Sequence, residues 1–157
     1  QLVQESGARA IIMRTCWVFS AHGSNFVKTM LRLGTERNLL NVVGDQVGGP
    51  TSARSIARSV VALIEALLEG RAGGTFHFTG APDVSWAEFA RAIMGLAGLS
   101  CEIKPILTKE YPTAAPRPLN SRLDGHSLLD EYGILRPAWA LDLERVLIEL
   151  KEQSNAT

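Results

Sequence analysis

Hydrophobic and polar positions change period several times along the chain, and each change marks an element. Ala10 to Met13 is a continuous apolar run, carried on through Arg14 to Trp17-Val18-Phe19, and a run this hydrophobic predicts a buried strand of parallel type. A helical stub over residues 1–8, closed by Gly7, precedes it. From Asn25 to Arg37 apolar residues fall at 26, 27, 30, 31 and 33, a helical spacing. Val42-Val43 is a short strand candidate, and residues 45–51 form a loop rich in glycine and proline. Ser52 is placed to cap a helix from Ala53 to Leu68, whose apolar residues include Ile56, Val60, Leu63, Ile64 and Leu67. Gly73-Gly74 stops that pattern, and Thr75 to Thr79 alternates as a strand does. Ser85 with Glu88 three residues on reads as a capping box for a helix to about Ala97. Cys101 to Ile106 is a further strand, residues 108–122 a long proline-bearing loop, and 127–132 and 141–153 are helical, with a frayed tail beyond Ser154.

Strands thus alternate with helices, which makes the fold class α/β. The chain has 157 residues, enough for one compact domain with its own core, and neither an internal repeat nor a domain linker is visible. Lys plus Arg equals Asp plus Glu at 16 each, so net charge gives no argument for nucleic acid or an anionic membrane as partner. The two cysteines, Cys16 and Cys101, stand far apart, outside any Cys-x-x-Cys pair, and read as small buried hydrophobes. No apolar run is long enough for a membrane span and no signal peptide opens the chain, so the expected location is the cytoplasm.

The richest chemistry lies in Arg117-Pro118-Leu119-Asn120-Ser121-Arg122-Leu123-Asp124. Pro116 and Pro118 fix the backbone on both sides of Arg117, which presents a guanidinium suited to phosphate or carboxylate. Asp124 is placed to cap the following helix, and a surface turn closed by that cap is the competing reading. His77, between two Phe, reads as structural, whereas His22, in a loop after Trp17, could face a ligand. The sequence has neither a dinucleotide-binding Gly-x-Gly-x-x-Gly nor a phosphate-binding Gly-x-x-x-x-Gly-Lys motif, and it supplies neither a complete nucleophile–base pair nor a metal site.

Five segments in order carry a family resemblance: Arg14 to Phe19, Asn25 to Met30, Val43 to Thr51, Gly74 to Phe78 and Arg117 to Asp124. With them the chain resembles the C-terminal half of dTDP-4-dehydrorhamnose reductases, in the extended short-chain dehydrogenase/reductase superfamily. The resemblance implies the C-terminal part of a Rossmann-like NAD(P)-binding fold plus a small α/β substrate-binding subdomain. Residues 1–157 would be a single substrate-binding region, the N-terminal cofactor-binding half being absent. The family's catalytic Tyr-x-x-x-Lys is missing, since Tyr111 and Tyr132 are followed four residues later by Ala115 and Arg136. The expectation is therefore a fragment, inactive alone and binding no cofactor, of a parent that uses NADPH or NADH. That parent would reduce dTDP-4-dehydro-L-rhamnose to dTDP-L-rhamnose.

The resemblance makes Trp17 a wall of the sugar pocket, a role it shares with the simpler reading of a core tryptophan. Asn25 would cap its helix beside the pocket and bring a helix N-terminus to a diphosphate. Gln46 and Thr51, with Asp45, fall in the glycine-proline loop that the resemblance puts at the site, and Arg117 and Asn120 would contact diphosphate or sugar. Lys28 and Arg122 are weaker candidates, and Trp86 and Trp139 read as packing residues. Some family members hold a metal at their dimer interface through an acidic residue soon after the Pro-Thr pair. Arg54 takes that position here, so neither that metal nor the matching dimer is expected. A regulatory module of the same fold, like the regulatory subunit of methionine adenosyltransferase, and a reductase of another nucleotide-linked 4-keto sugar are the alternatives.

Overall fold

The computed structural model describes residues 2–113 and 115–155. The elements run α1 (Leu2–Glu5), β1 (Ile11–Arg14), β2 (Val18–Phe19), α2 (Phe26–Glu36), β3 (Leu39–Val43), β4 (Val47–Gly48), β5 (Thr51–Ser52) and α3 (Ala53–Leu68). They continue with β6 (Gly74–His77), β7 (Val84–Ser85), α4 (Trp86–Ala97), β8 (Glu102–Ile106), a 3-10 turn over Thr108–Glu110, α5 (His126–Tyr132) and α6 (Trp139–Asn155). The fold class is α/β, as read from the sequence.

Two parallel strand pairs carry the two cores. β3 pairs with β8 from Leu39 opposite Glu102 to Val43 opposite Ile106. α2, α4 and α6 enclose this pair and bury Val27, Leu40, Phe89, Ile93, Ile103 and Leu143 together. β1 pairs with β6, Ile11 opposite Gly74 and Arg14 opposite His77, and α3 and α5 supply Leu63 and Leu128 against Phe76 and Phe78. In each pair the two strands are far apart along the chain, with helices among the elements between them, as parallel pairing requires.

The helix starts follow from their caps. Asn25 accepts from the Lys28 N–H, Ser52 from the Ser55 N–H, and Ser85 forms the full capping box with Glu88. Asp124 acts one residue further out than expected. The residue capping α5 is Gly125, while the Asp124 carboxylate accepts from the His126 N–H at 2.9 Å.

The apolar run at Ile11–Met13 does form a parallel strand, but it is half-buried. Among the described residues only β6 pairs with it, so its other edge is open and the run is more apolar than this chain alone requires. The run also breaks at Trp17, after which Val18–Phe19 pairs separately with β5. Four two-residue strands lie in stretches read as loop or as continuations of other elements; β4 pairs antiparallel with β7, and β2 parallel with β5. Among the described residues no helix is long and apolar enough to cross a membrane.

Candidate functional site

Three separated stretches converge where β1 ends. After Arg14 the chain turns at Trp17, whose φ is +49°. A bulky side chain in the left-handed region carries strain on the order of 1–2 kcal/mol, so surrounding contacts must hold it there. The Trp17 carbonyl accepts from the Thr51 N–H at 3.1 Å. The Cys16 thiol reaches the carbonyls of Gly49 and Ser121 at 3.6 and 3.4 Å. On the other side of β4, the Val47 N–H donates to Leu119 O and the Ser121 N–H to Val47 O, both at 2.8 Å. Residues 16–17, 46–49 and 119–121 are thereby tied into one surface.

Trp17 is half-buried in this surface. Its indole stacks on Trp86 with centroids 3.6 Å apart and planes 14° from parallel. Trp86 in turn leans on Phe26, at 4.5 Å. Gly48 lies so close that a Cβ there would sit 2.8 Å from Cε2 of Trp17. Trp86 therefore takes one face of the indole, and what Trp17 offers a ligand is its remaining edge and an N–H that bonds to no other described residue. Trp86 is a packing residue, as its sequence suggests, but what it packs is the site.

Gln46 is almost fully buried, and its Nε2 donates to the Thr108 hydroxyl at 3.1 Å. Asp45 accepts from the same residue, from the Thr108 hydroxyl at 2.6 Å and the Thr108 N–H at 2.9 Å. The Thr108 hydroxyl, then its backbone N–H, hold the Asp45 carboxyl below its ordinary range. Thr108 thus fastens the base of the long loop to the β3–β4 turn. Asn120 sits opposite Val47 on that loop, and its Oδ1 accepts from the N–H and Nε of Arg122. Arg117 is exposed, and among the described residues none bonds to it or pairs with it.

Two of the expected contacts are spent on the protein itself. Thr51 is fully buried; its hydroxyl donates to Gly49 O at 2.9 Å and accepts from the Gly80 N–H at 3.2 Å, so it shapes the glycine-proline loop and has no surface for a ligand. Asn25 caps α2 and donates to Ser20 O at 2.7 Å; it borders the site only through Phe26. Lys28 likewise turns to the Ala21 carbonyl. Cys16 is a correction. It is half-buried at the junction instead of a core residue, and desolvation raises its thiol pKa. Exposed His22 pairs with Glu149 of α6 at 3.1 Å. Exposed Arg54 lies in the first turn of α3.

Sequence reasoning missed Thr108, Cys16 and the part played by Trp86. Spacing carries no signal for them, because each acts on a residue far along the chain. Buried hydroxyls Thr15 Oγ1 and Thr79 Oγ1, just beyond the carboxyl ends of β1 and β6, have no partner among the described residues. That end of a parallel pair is where open α/β sheets take ligands. Beyond the loop, a cavity of about 510 Å³ opens between Arg122–His126 and the Arg136–Asp83 pair.

Residues 1–152 match the family described as the RmlD substrate binding domain. The dTDP-4-dehydrorhamnose reductase of Burkholderia thailandensis is 44% identical, over 87% of this chain and 50% of that protein. The crystal structure of a dTDP-4-dehydrorhamnose reductase from Clostridium acetobutylicum superposes with a TM-score of 0.84 at 38% identity, over 90% of this chain and 49% of that one. That of the Bacillus anthracis enzyme, in complex with NADP, gives 0.80 at 37% identity, over 94% and 51%. The chain spans about half the length of the curated relatives it matches.

Proposed function

The chain belongs to the RmlD substrate binding domain family, and on that premise we propose that it is the nucleotide-sugar-binding part of a reductase that converts dTDP-4-dehydro-L-rhamnose to dTDP-L-rhamnose in the cytoplasm. The observation that carries the reading is the convergence of Trp17, Gln46 and the Asn120 loop on β4, with the unpaired Arg117 three residues before Asn120. Arg117 supplies a planar cation for the diphosphate, and the pinned loop sets where that cation starts. Asn120 and the Trp17 N–H offer hydrogen bonds to the sugar, and the tryptophan edge offers apolar contact to its 6-methyl group. Gln46 contributes by holding Thr108.

The proton and hydride of the reduction come from the half that the relatives have and residues 1–157 do not. NADPH or NADH binds there, and the chain alone binds no cofactor and has no catalytic residue. The open edge of β1 is where a further strand of that half adds to the sheet.

Calorimetric titration of the 157-residue chain with dTDP, UDP and GDP tests the reading. The expected result is weak binding with dTDP preferred. Arg117→Ala lowers dTDP affinity about ten- to a hundredfold, as loss of a charge-assisted hydrogen bond does. Its urea midpoint stays unchanged because the side chain is exposed. Equal response to all three nucleotides, or an Arg117→Ala variant that binds as the parent does, refutes it.

A further inference from the structure

The chain that leaves the carboxyl end of β8 comes back to the place it left. β3 and β8 run parallel, so their carboxyl ends lie together, and that is the end at which open α/β sheets take ligands. Thr108 is held there by Asp45, which accepts from its hydroxyl and its N–H, and by the Gln46 amide, which donates to its hydroxyl. Leu119 and Ser121 are held by Val47. Both ends of the excursion are therefore anchored on Asp45 to Val47, whose outer Cα atoms are at most about 7 Å apart. Two large side chains stand free between the anchors. Tyr111 is 56% exposed, and among the described residues its ring stacks on no aromatic and its hydroxyl has no partner. Arg117 is likewise exposed and unpaired.

Tyr111 is more than one aromatic scattered on a surface, because the backbone beneath it is fixed. The Leu107 N–H donates to Glu110 Oε2 at 2.8 Å, and the Tyr111 N–H to Thr108 O at 3.1 Å. Pro112 then restricts the next φ. A carboxylate and the almost fully buried amide of Gln46 both hold this turn, yet the turn buries no large apolar side chain, since Leu107 is 46% exposed. What the anchoring fixes is the place of an aromatic ring. A flat exposed ring, carried on the same anchored excursion as a free guanidinium, meets the two needs of a nucleoside diphosphate: a stacking face for the base and a planar cation for the phosphates. We propose that Tyr111 is the platform on which the nucleobase stacks while Arg117 takes the diphosphate. The proposal rests on the nucleotide-sugar reading above and names the residue that receives the base. Stacking uses the π-face that every base has, so Tyr111 supports dTDP and UDP alike, and the choice between them is made by other residues. The backbone under the ring is ordered beforehand, which keeps the entropic cost of stacking low.

The chain has two tyrosines, Tyr111 and Tyr132, so NMR with isotope-labelled tyrosine rings reads each one, and Tyr111→Phe identifies which is which. Tyr132 lies edge-on to Phe76 in the other core and serves as the control. On titration with dTDP the ring signals of Tyr111 should move upfield and saturate, as they do under a stacked base, while those of Tyr132 stay in place. Inorganic pyrophosphate, which has no base, should give no such shift. In calorimetric titration Tyr111→Ala should lower the affinity for dTDP and for UDP about tenfold each, whereas Tyr111→Phe, which keeps the ring, should bind as the parent does. A Tyr111→Ala chain that binds dTDP like the parent overturns the stacking role. So does a dTDP complex in which the Tyr111 signals do not move, or a pyrophosphate shift equal to that of dTDP. In each of those cases a loss of dTDP affinity in Arg117→Ala leaves the nucleotide-sugar reading standing. If the chain binds neither dTDP nor UDP, that reading fails and this proposal fails with it.

Discussion

Gly48→Ala is the most direct probe of how the site is held. The added Cβ would lie 2.8 Å from Cε2 and 3.1 Å from Cζ2 and Nε1 of Trp17. Carbon atoms in contact prefer about 3.5–4.0 Å, so the overlap is close to an ångström. Trp17 cannot simply recede, because Trp86 stands 3.6 Å behind it and its backbone is already at φ +49°. β4 cannot yield freely either, since Val47 bonds to both Leu119 and Ser121 at 2.8 Å. Overpacking in such a site costs about 1–3 kcal/mol, and we expect about 2. Urea denaturation measures that loss, with a shift in midpoint and an unchanged slope. Repeating Gly48→Ala in a Trp17→Leu background removes the ring that the methyl strikes while keeping a side chain on the strained backbone. There the cost should fall below about 0.5 kcal/mol, a coupling of roughly 1.5 kcal/mol between the two positions. An equal cost in both backgrounds, or a neutral Gly48→Ala, would mean that Trp17 is not held against β4 and would refute the geometry of the site.

Two further substitutions test the frame around it. The Asp142 carboxylate, buried in the first turn of α6, accepts from the hydroxyls of Ser52 and Ser55 and pairs with Arg145 at 2.9 Å. Asp142→Ala leaves those hydroxyls without an acceptor and should cost about 2–4 kcal/mol in urea denaturation; a loss under about 1 kcal/mol would show that water replaces the carboxylate. In the capping box, the Ser85 N–H and hydroxyl hold the Glu88 carboxyl below its ordinary value of 4.5. A depressed folded-state pKa gives stability that is full above the unfolded value and is lost as pH falls through the folded one. Glu88→Gln keeps an acceptor but cannot titrate, so its stability should fall less than the parent's between about pH 5 and pH 3. Parallel acid profiles would dissociate Glu88 from that loss.

Helices were legible because their signals are local. Ser52, Asn25 and the Ser85–Glu88 box mark starts that the structure keeps to within a residue, whereas α5 and α6 begin one and two residues before the expected positions, where no such box stands. The two-residue strands were not legible, since two residues carry no period and their partners lie far along the chain. The same reason hid the site's wiring. Trp17, Gln46 and Asn120 were singled out by resemblance, but the stack on Trp86, the Thr108 fastening and the burial of Thr51 all depend on which distant segments β4 brings together. The half-exposed β1 is the converse case. Its composition alone predicts a strand more enclosed than the structure shows.

The site is rigid on one side and open on the other, and this divides the work of binding. Trp17 is held by stacking, and buried Gln46 and Thr51 fix the loops around it by hydrogen bonds before any ligand arrives, so a ligand meets the indole edge at little cost in conformational entropy. Arg117 starts free. Ordering an arginine costs on the order of 1.5–2 kcal/mol of side-chain entropy, which a bidentate bond to phosphate must exceed before it adds affinity. The pinned segment 119–121 limits that cost to the side chain and the residues just before it, because the backbone beyond is already fixed. Substitutions on the rigid side should therefore change which sugar is accepted, through the shape and N–H of the indole edge. Substitutions at Arg117 should change how tightly any nucleotide diphosphate is held and leave the preference among sugars alone. Comparing dTDP with dTDP-rhamnose in Trp17→Phe and Arg117→Ala separates the two. Should Arg117→Ala alter the ratio of the two affinities while Trp17→Phe leaves it constant, the division is the reverse of the one argued from these contacts.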